Sequence, residues 1–334
     1  MSAAAAPVGA TRADPAGAIS KFGRRNAWVL GLLGVLIALF LFTKGIQPRY
    51  GPIPIQGLAV SVLPLVFAAV AQAIVVIGGG IDLSIGSMMA LTSVVSATLM
   101  QDQSEAFAVG VVIGVLLLGL LIGGINGGLV VVTRVPDIVV TLAMSFVWAG
   151  FALLVRGAPG GGAASWLTGL VRGPLGNEWI PMAAVVGLVA IVVIWMPLSR
   201  SRLGLSIYAI GSDRLAAFRS GVPVGRTRIV AYMMTGLFSA LGGLALTATT
   251  GIGSPVPGPY TLLSVAAIVL GGVSLAGGRG GVFGPIIAVV ILQLIQTDLT
   301  FLSVDSNLAL VAQGLLLIAV LMVGSLIDMR RNRQ

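Results

Sequence analysis

The side chain best placed to do chemistry is Asp82, in Gly78-Gly79-Gly80-Ile81-Asp82-Leu83-Ser84-Ile85-Gly86, between two apolar runs. Three glycines expose backbone and add chain entropy, so they break a helix. A carboxylate at such a break sits at or near a membrane, where it is expensive and by default functional. Two roles stay open for it. Asp82, with Ser84 nearby, can accept bonds from the free N–H groups of a helix that follows. It can also act directly in gating or transport.

A second stretch echoes the first: Gly271-Gly272-Val273-Ser274-Leu275-Ala276-Gly277-Gly278-Arg279-Gly280-Gly281. In both, an apolar run meets a glycine cluster, a small polar residue and a second apolar run. This is either the remnant of an internal repeat, as transporters often carry, or glycine-rich helix packing. A third stretch, Gly211 to Val222, is polar. Asp213 to Arg219 has the makings of a short helix, capped by Ser212 or Asp213 and stopped near Ser220 by Gly221. Ala216, Ala217 and Phe218 give it a small apolar surface among charges, the mark of a docking face rather than a solvated loop.

Several chemistries are missing. There are no cysteines and no histidines, which removes thiol nucleophiles, imidazole acid–base catalysis and most metal sites. The only lysines, Lys21 and Lys44, precede Phe22 and Gly45, so no Gly-Lys-[Ser/Thr] loop exists to hold ATP. No nucleophile–base pair or metal-ligand set is visible, so the chain reads as non-catalytic. The net charge of +9 comes from basic residues scattered without interleaved aromatics, which argues against nucleic acid.

The elements that must position these stretches lie in lipid. Of the 334 residues, 57% are hydrophobic and only 9% charged, against about 25% charged in soluble domains. A bilayer needs about 20 apolar residues per helix. The pattern predicts an all-α polytopic protein with ten segments: 27–43, 57–77, 85–100, 107–132, 138–155, 180–198, 229–249, 261–273, 282–297 and 307–327. The third, eighth and ninth are short and flank the glycine breaks, so eight full spans with two re-entrant hairpins is the alternative. Residues 1–26 form a disordered cytoplasmic tail, 27–328 the permease domain with a cytoplasmic loop at 199–228, and 329–334 a basic tail. Fifteen of the nineteen basic residues, including those of that loop, fall on the side of the N-terminus; Lys44, Arg49, Arg156 and Arg172 fall opposite. The positive-inside rule then puts both termini in the cytoplasm. Polar or aromatic groups inside the apolar runs, Gln72, Asn126, Trp148, Gln293, Gln296 and Gln313, are candidates to line a pore or to bond between helices.

With these pieces in order, the sequence resembles the sugar permeases of the ribose, xylose, arabinose and galactose ABC import systems, within the branched-chain permease superfamily. The matching residues are GGGIDLSIGS, the NGGLVV segment at Asn126 to Val131, GSDRLAAFRSGVPV and LGGVSLAGGRGGVFGP. The resemblance implies a bacterial inner-membrane subunit that pairs with a second permease, identical or paralogous. It implies a cytoplasmic ATP-binding chain, often with two nucleotide domains, and a periplasmic or lipid-tethered sugar-binding protein. ATP and Mg would sit on the partner and no cofactor on this chain. Gly211–Val222 corresponds to the family's coupling segment, with Ser212 and Asp213 where Asn-Glu is usual. Glycines 79, 80, 86, 271, 272, 277 and 278, with Asp82, Ser84, Asn126 and Ser274, fall in the gating or pathway motifs. The competing reading from physics alone is an ion-coupled secondary transporter, which usually buries more ionisable groups than Asp82 and Asp137.

Overall fold

The computed structural model describes residues 27–305 and isolated helical positions between 308 and 322. The expected tails and most of the tenth segment, with Gln313, lie outside the described residues. Twelve helices are complete: α1 (Ala27–Ile46), α2 (Pro52–Ile77), α3 (Ile85–Met100), α4 (Glu105–Thr133), α5 (Asp137–Val155), α6 (Ser165–Gly169), α7 (Met182–Arg200), α8 (Arg202–Ser212), α9 (Arg214–Arg219), α10 (Val224–Thr250), α11 (Tyr260–Leu270) and α12 (Phe283–Phe301). Among the described residues the helices are joined by one hairpin of β1 (Pro174–Leu175) and β2 (Asn177–Pro181), turned at Gly176 with φ +71°, and by an isolated bridge between Gly160 and Gly253. Gln56 Nε2 on α2 donates to the Glu178 carbonyl and anchors this hairpin.

Among the described residues, seven helices, α1, α2, α4, α5, α7, α10 and α12, are long and apolar enough to cross a membrane. The twelfth helix corrects an expectation. The ninth segment is not short but a 19-residue helix running to Phe301. Asp298, expected outside, is buried in its last turns. The third and eighth segments are short as expected. At 16 and 11 residues, α3 and α11 reach only about 24 and 16 Å, against a hydrocarbon core of about 30 Å.

The core is α2 and α10. Every residue from Val62 to Ile77 is buried. On α4, Gly119, Gly123 and Gly127 recur every fourth residue and face α10. A Cβ at Gly123 would strike the Tyr232 carbonyl, and one at Gly127 would come 2.9 Å from the Ile229 Cα. Association in lipid depends on such close packing because burial against lipid supplies no hydrophobic drive. Away from this crossing, Ile113, Leu117 and Leu121 form an exposed stripe on α4, the surface expected against acyl chains.

The 199–228 stretch is not an open loop. Ser201 caps α8 by accepting from Gly204 N, α9 follows directly, and α10 begins at Val224, five residues before the expected span.

Candidate functional site

The first break is built on the end of α2. Gly78 N, Gly79 N and Gly80 N donate to the carbonyls of Ile74, Val76 and Val75, and Gly79 adopts φ +77°. Glycine tolerates this left-handed turn at a helix C-terminus without a Cβ penalty. At the end of α11, Gly271 N, Gly272 N and Val273 N donate to Ala267, Val269 and Ile268 with the same spacing, and Gly272 has φ +80°. The echo in the sequence is thus a repeat of backbone geometry. Trp28 Nε1 on α1 donates to the Leu270 carbonyl and covers the second turn.

Beyond Gly79 the chain enters the bundle. A Cβ at Gly80 would sit 2.6 Å from Asp137 Oδ2 and 3.0 Å from the Tyr232 hydroxyl. Those groups form a largely buried cluster. Arg228 Nη2 bridges both Asp137 oxygens at 2.6 Å, and the Tyr232 hydroxyl donates to Oδ2 at 2.8 Å. Thr141 Oγ1 accepts from Leu83 N and donates to the Asp137 carbonyl. Asp82 is fully buried. Its Oδ1 accepts from Ser84 N at 2.8 Å and Ser84 Oγ at 2.6 Å. Asn126 Nδ2 donates to Ser84 Oγ, and Trp148 Nε1 donates to Asn126 Oδ1. Each donor points toward the carboxylate, so the chain Trp148–Asn126–Ser84–Asp82 polarises in one direction. The second oxygen, Oδ2, has no partner among the described residues. Asp82 therefore braces the turn into α3 through Ser84. Ser84, not Asp82, occupies the N-cap position.

Depth follows from the helices that hold this segment. Asn126 lies seven residues from the end of α4 and Tyr232 eight residues into α10, about 10 and 12 Å from those ends. The first break thus reaches well into the bundle before α3 begins.

The two breaks and the polar segment meet. Gly278 N donates to the Ile77 carbonyl at 2.9 Å. A Cβ at Gly277 would lie 2.8 Å from the Gly211 carbonyl and 3.0 Å from the Gly79 Cα, and one at Gly211 would strike the Ile77 carbonyl. Tyr208 OH donates to the Gly280 carbonyl, and Ser274 N bonds the Arg279 carbonyl to close the second break. Gly211, at the end of α8, is therefore wedged between both breaks, against bare backbone.

From that wedge α9 projects. Asp213 caps it, accepting from Leu215 N and Ala216 N, and Ser220 with Gly221 (φ +81°) ends it. Leu215, Ala216, Phe218 and Arg219 are exposed, whereas Ala217 is buried against Ile210 and Val224. Ala217 is thus not part of the presented surface, because the rotation of about 100° per helical residue turns it toward Ile210 and Val224 while Phe218 faces outward; Leu215 joins the surface instead. An open groove of about 680 Å³ runs along Leu215, Phe218, Val222 and Pro223, flanked by Arg214 and Arg226.

The sequence profile described as "Branched-chain amino acid transport system / permease component" matches residues 55–321. The chain belongs to this family of ABC importer permeases. The permease is also similar to the curated "Autoinducer 2 import system permease protein LsrD" of Escherichia coli K12 and of Shigella flexneri. Each is 30% identical over 318 residues, covering 92% of this chain and 95% of the relative. No solved structure matches the permease.

Within the permease, the expected gating residues Gly79, Gly80, Asp82, Ser84, Asn126, Gly277 and Gly278 share one region with the expected coupling residue Gly211. Gly86 N donates to Thr261 Oγ1 on α11. Asn126 and Trp148 bond to each other between α4 and α5. Gln72 is buried in α2 with both amide atoms unpartnered among the described residues. Gln293 is half-buried and Gln296 exposed on α12. Sequence reasoning missed Arg228, Tyr232, Thr141 and Thr261. Arg228 was counted as a surface charge; its position four residues before Tyr232 on one helix face was the available signal.

Proposed function

We propose that the permease is the membrane-spanning half of an importer that moves a monosaccharide or similar solute into the cytoplasm, driven by ATP hydrolysis on a partner chain. The observation that carries this reading is the wedge at Gly211. One rigid backbone contact links an exposed apolar helix, α9, to both breaks in the bundle. Work delivered to α9 would reach Gly79 and Gly277 together.

The partner chain would bind ATP and Mg, and this chain would bind neither. Its docking socket would be apolar, to receive Leu215 and Phe218, with acidic residues near Arg214 and Arg226. A second permease and a sugar-binding protein on the opposite face complete the assembly. The likeness to autoinducer-2 import permeases supports the import reading. Both termini and α8–α9 face the cytoplasm of a bacterial inner membrane, as the arginine distribution supports.

The test is reconstitution of the whole importer in vesicles. Uptake should require ATP and survive collapse of ion gradients. Phe218→Asp together with Leu215→Asp should leave membrane insertion intact and abolish stimulated ATP hydrolysis. Uptake driven by an ion gradient without ATP would reverse the proposal in favour of a secondary transporter.

A further inference from the structure

Helix α1 lies on the rim of the bundle and is seated at few points. Among its described residues only Leu32 and Thr43 are buried. They lie roughly three helical turns apart and so share one face. At the start of the helix, Trp28 Nε1 holds the Leu270 carbonyl. At its end the deepest residue is a polar one, Thr43, and what it meets on α12 is Asp298.

Asp298 is only 4% exposed, and neither carboxylate oxygen has a hydrogen-bond partner among the described residues. The Tyr50 hydroxyl faces that charge, is equally buried and is also without a partner. The Tyr50 ring is fixed edge-on between Phe40 of α1 and Phe301 of α12, with centroids 6.1 and 5.9 Å away. Thr43 Oγ1 lies beside the carboxylate but gives its proton to the Leu39 carbonyl at 2.9 Å, which leaves its lone pairs free. Thr43 is in the last turn of α1 and Asp298 in the last turn of α12, so the carbonyl ends of two helices converge here. Such ends carry partial negative charge, which favours a cation and opposes a carboxylate. The basic residues nearby do not supply the cation. Neither Lys44 nor Arg49 pairs with Asp298; Arg49 is exposed, and Lys44 is turned about 100° from Thr43 on the helix.

An ionised carboxylate buried without a counter-charge is among the costliest groups a fold can hold. We infer that a monovalent alkali cation binds between α1 and α12, held by the Asp298 carboxylate and the hydroxyl oxygens of Tyr50 and Thr43. The donors are all oxygens, the set that hard cations prefer. Burial first, and the Asp298 charge second, push the Tyr50 hydroxyl above its ordinary value, so it stays neutral and the cluster carries one negative charge. One charge suits a monovalent ion, since a divalent ion would leave a buried positive charge behind. The ion pins a peripheral helix whose remaining surface meets lipid. It needs no gradient, and it stands apart from the importer reading.

The test is thermal unfolding of the full permease in detergent, in choline chloride with sodium or potassium chloride substituted at constant ionic strength and neutral pH. The melting temperature should climb with sodium, with potassium or with both, by equal steps for each tenfold rise above the dissociation constant. Which salt acts at the lower concentration identifies the ion. Asp298→Asn should melt at one temperature in all three salts, at or above the parent in choline, because the orphaned charge is gone. Tyr50→Phe and Thr43→Val each remove one donor and keep the shape, so they should shift the response to higher salt; they carry the test if Asp298→Asn misfolds. Asp102→Asn, at an exposed acid in the turn before α4, should respond as the parent does. A parent that melts alike in all three salts would overturn the inference, as would a full response in Asp298→Asn. Stabilisation of the parent by acid with no cation dependence would replace the ion by a proton on Asp298. A Lys44→Gln variant that loses stability and the alkali response together would assign the counter-charge to the lysine instead.

Discussion

The N–H of Gly278 donates to the carbonyl of Ile77 at 2.9 Å, so the second break hangs from the end of the helix that precedes the first. Gly211 touches both partners of that bond. Gly211→Ala should therefore prise Gly278 from Ile77, at an overpacking cost of about 1–3 kcal/mol. The expected outcome is a permease that inserts and binds its partner but hydrolyses ATP without solute uptake. Gly281→Ala, where a Cβ meets nothing within 4 Å, is the control. Paired ATPase and uptake assays read the result; equal coupling in both variants would discard the wedge.

The Asp137–Arg228 pair gives a second test. Arg228→Met leaves a largely buried carboxylate with the Tyr232 hydroxyl as its one remaining hydrogen-bond partner among the described residues, and should destabilise the fold by up to about 3 kcal/mol. Adding Asp137→Leu should recover most of that loss, because the orphaned charge is gone. Thermal unfolding in detergent measures the cycle. A single variant as stable as the parent would mean that the pair is not buried in the native permease.

Close approach of α4 to α10 makes a third prediction. Gly123→Leu should abolish folded protein, since its side chain would overlap the Tyr232 backbone. Gly128→Ala, with open space around it, should be neutral or stabilising by up to about 1 kcal/mol through helix propensity. Fluorescence-detected size-exclusion chromatography distinguishes the two.

Asp82 separates bracing from charge. Only Oδ1 is engaged, and Asp82→Asn retains that acceptor. It should fold nearly as well as the parent, whereas Asp82→Ala, which removes the acceptor of the buried Ser84 N–H and hydroxyl, should lose about 1–3 kcal/mol. If Asp82→Asn folds but fails to transport, the unpartnered Oδ2 has a role that bracing does not explain. Full uptake by Asp82→Ala would dismiss both roles.

Much of this architecture is written in the apolar runs. The span expected at 85–100 is found as Ile85–Met100, because Asp82 and Gln101 fence a continuous apolar stretch. The short α9 was also legible, since Asp213 and Gly221 are local signals. Three features were not. Gln293, Gln296 and Asp298 read as the end of a span, yet α12 continues because Asp298 is buried rather than solvated. Arg228 and Asp137 are 91 residues apart, and nothing local announces that two charges will cancel. Ala217 and Phe218 are neighbours in sequence but point apart on a helix, so composition alone merged a core residue with a surface one.

The hydroxyl contacts of α3 also bear on how the protein is made. Ser93 and Ser96 bond to Thr247, 154 and 151 residues downstream. At a synthesis rate of about 5–20 residues per second, α10 leaves the ribosome roughly 8–30 s after α3. During that interval this 16-residue helix, too short to span the hydrocarbon alone, has chiefly α4 and α5 to pack against, and its Ser93 and Ser96 hydroxyls lack their Thr247 partner. Biogenesis must therefore shelter α3, inside the translocon or against an insertase, until α10 arrives. Truncation anywhere before Thr247 should leave a nascent chain that quality-control proteases recognise and remove.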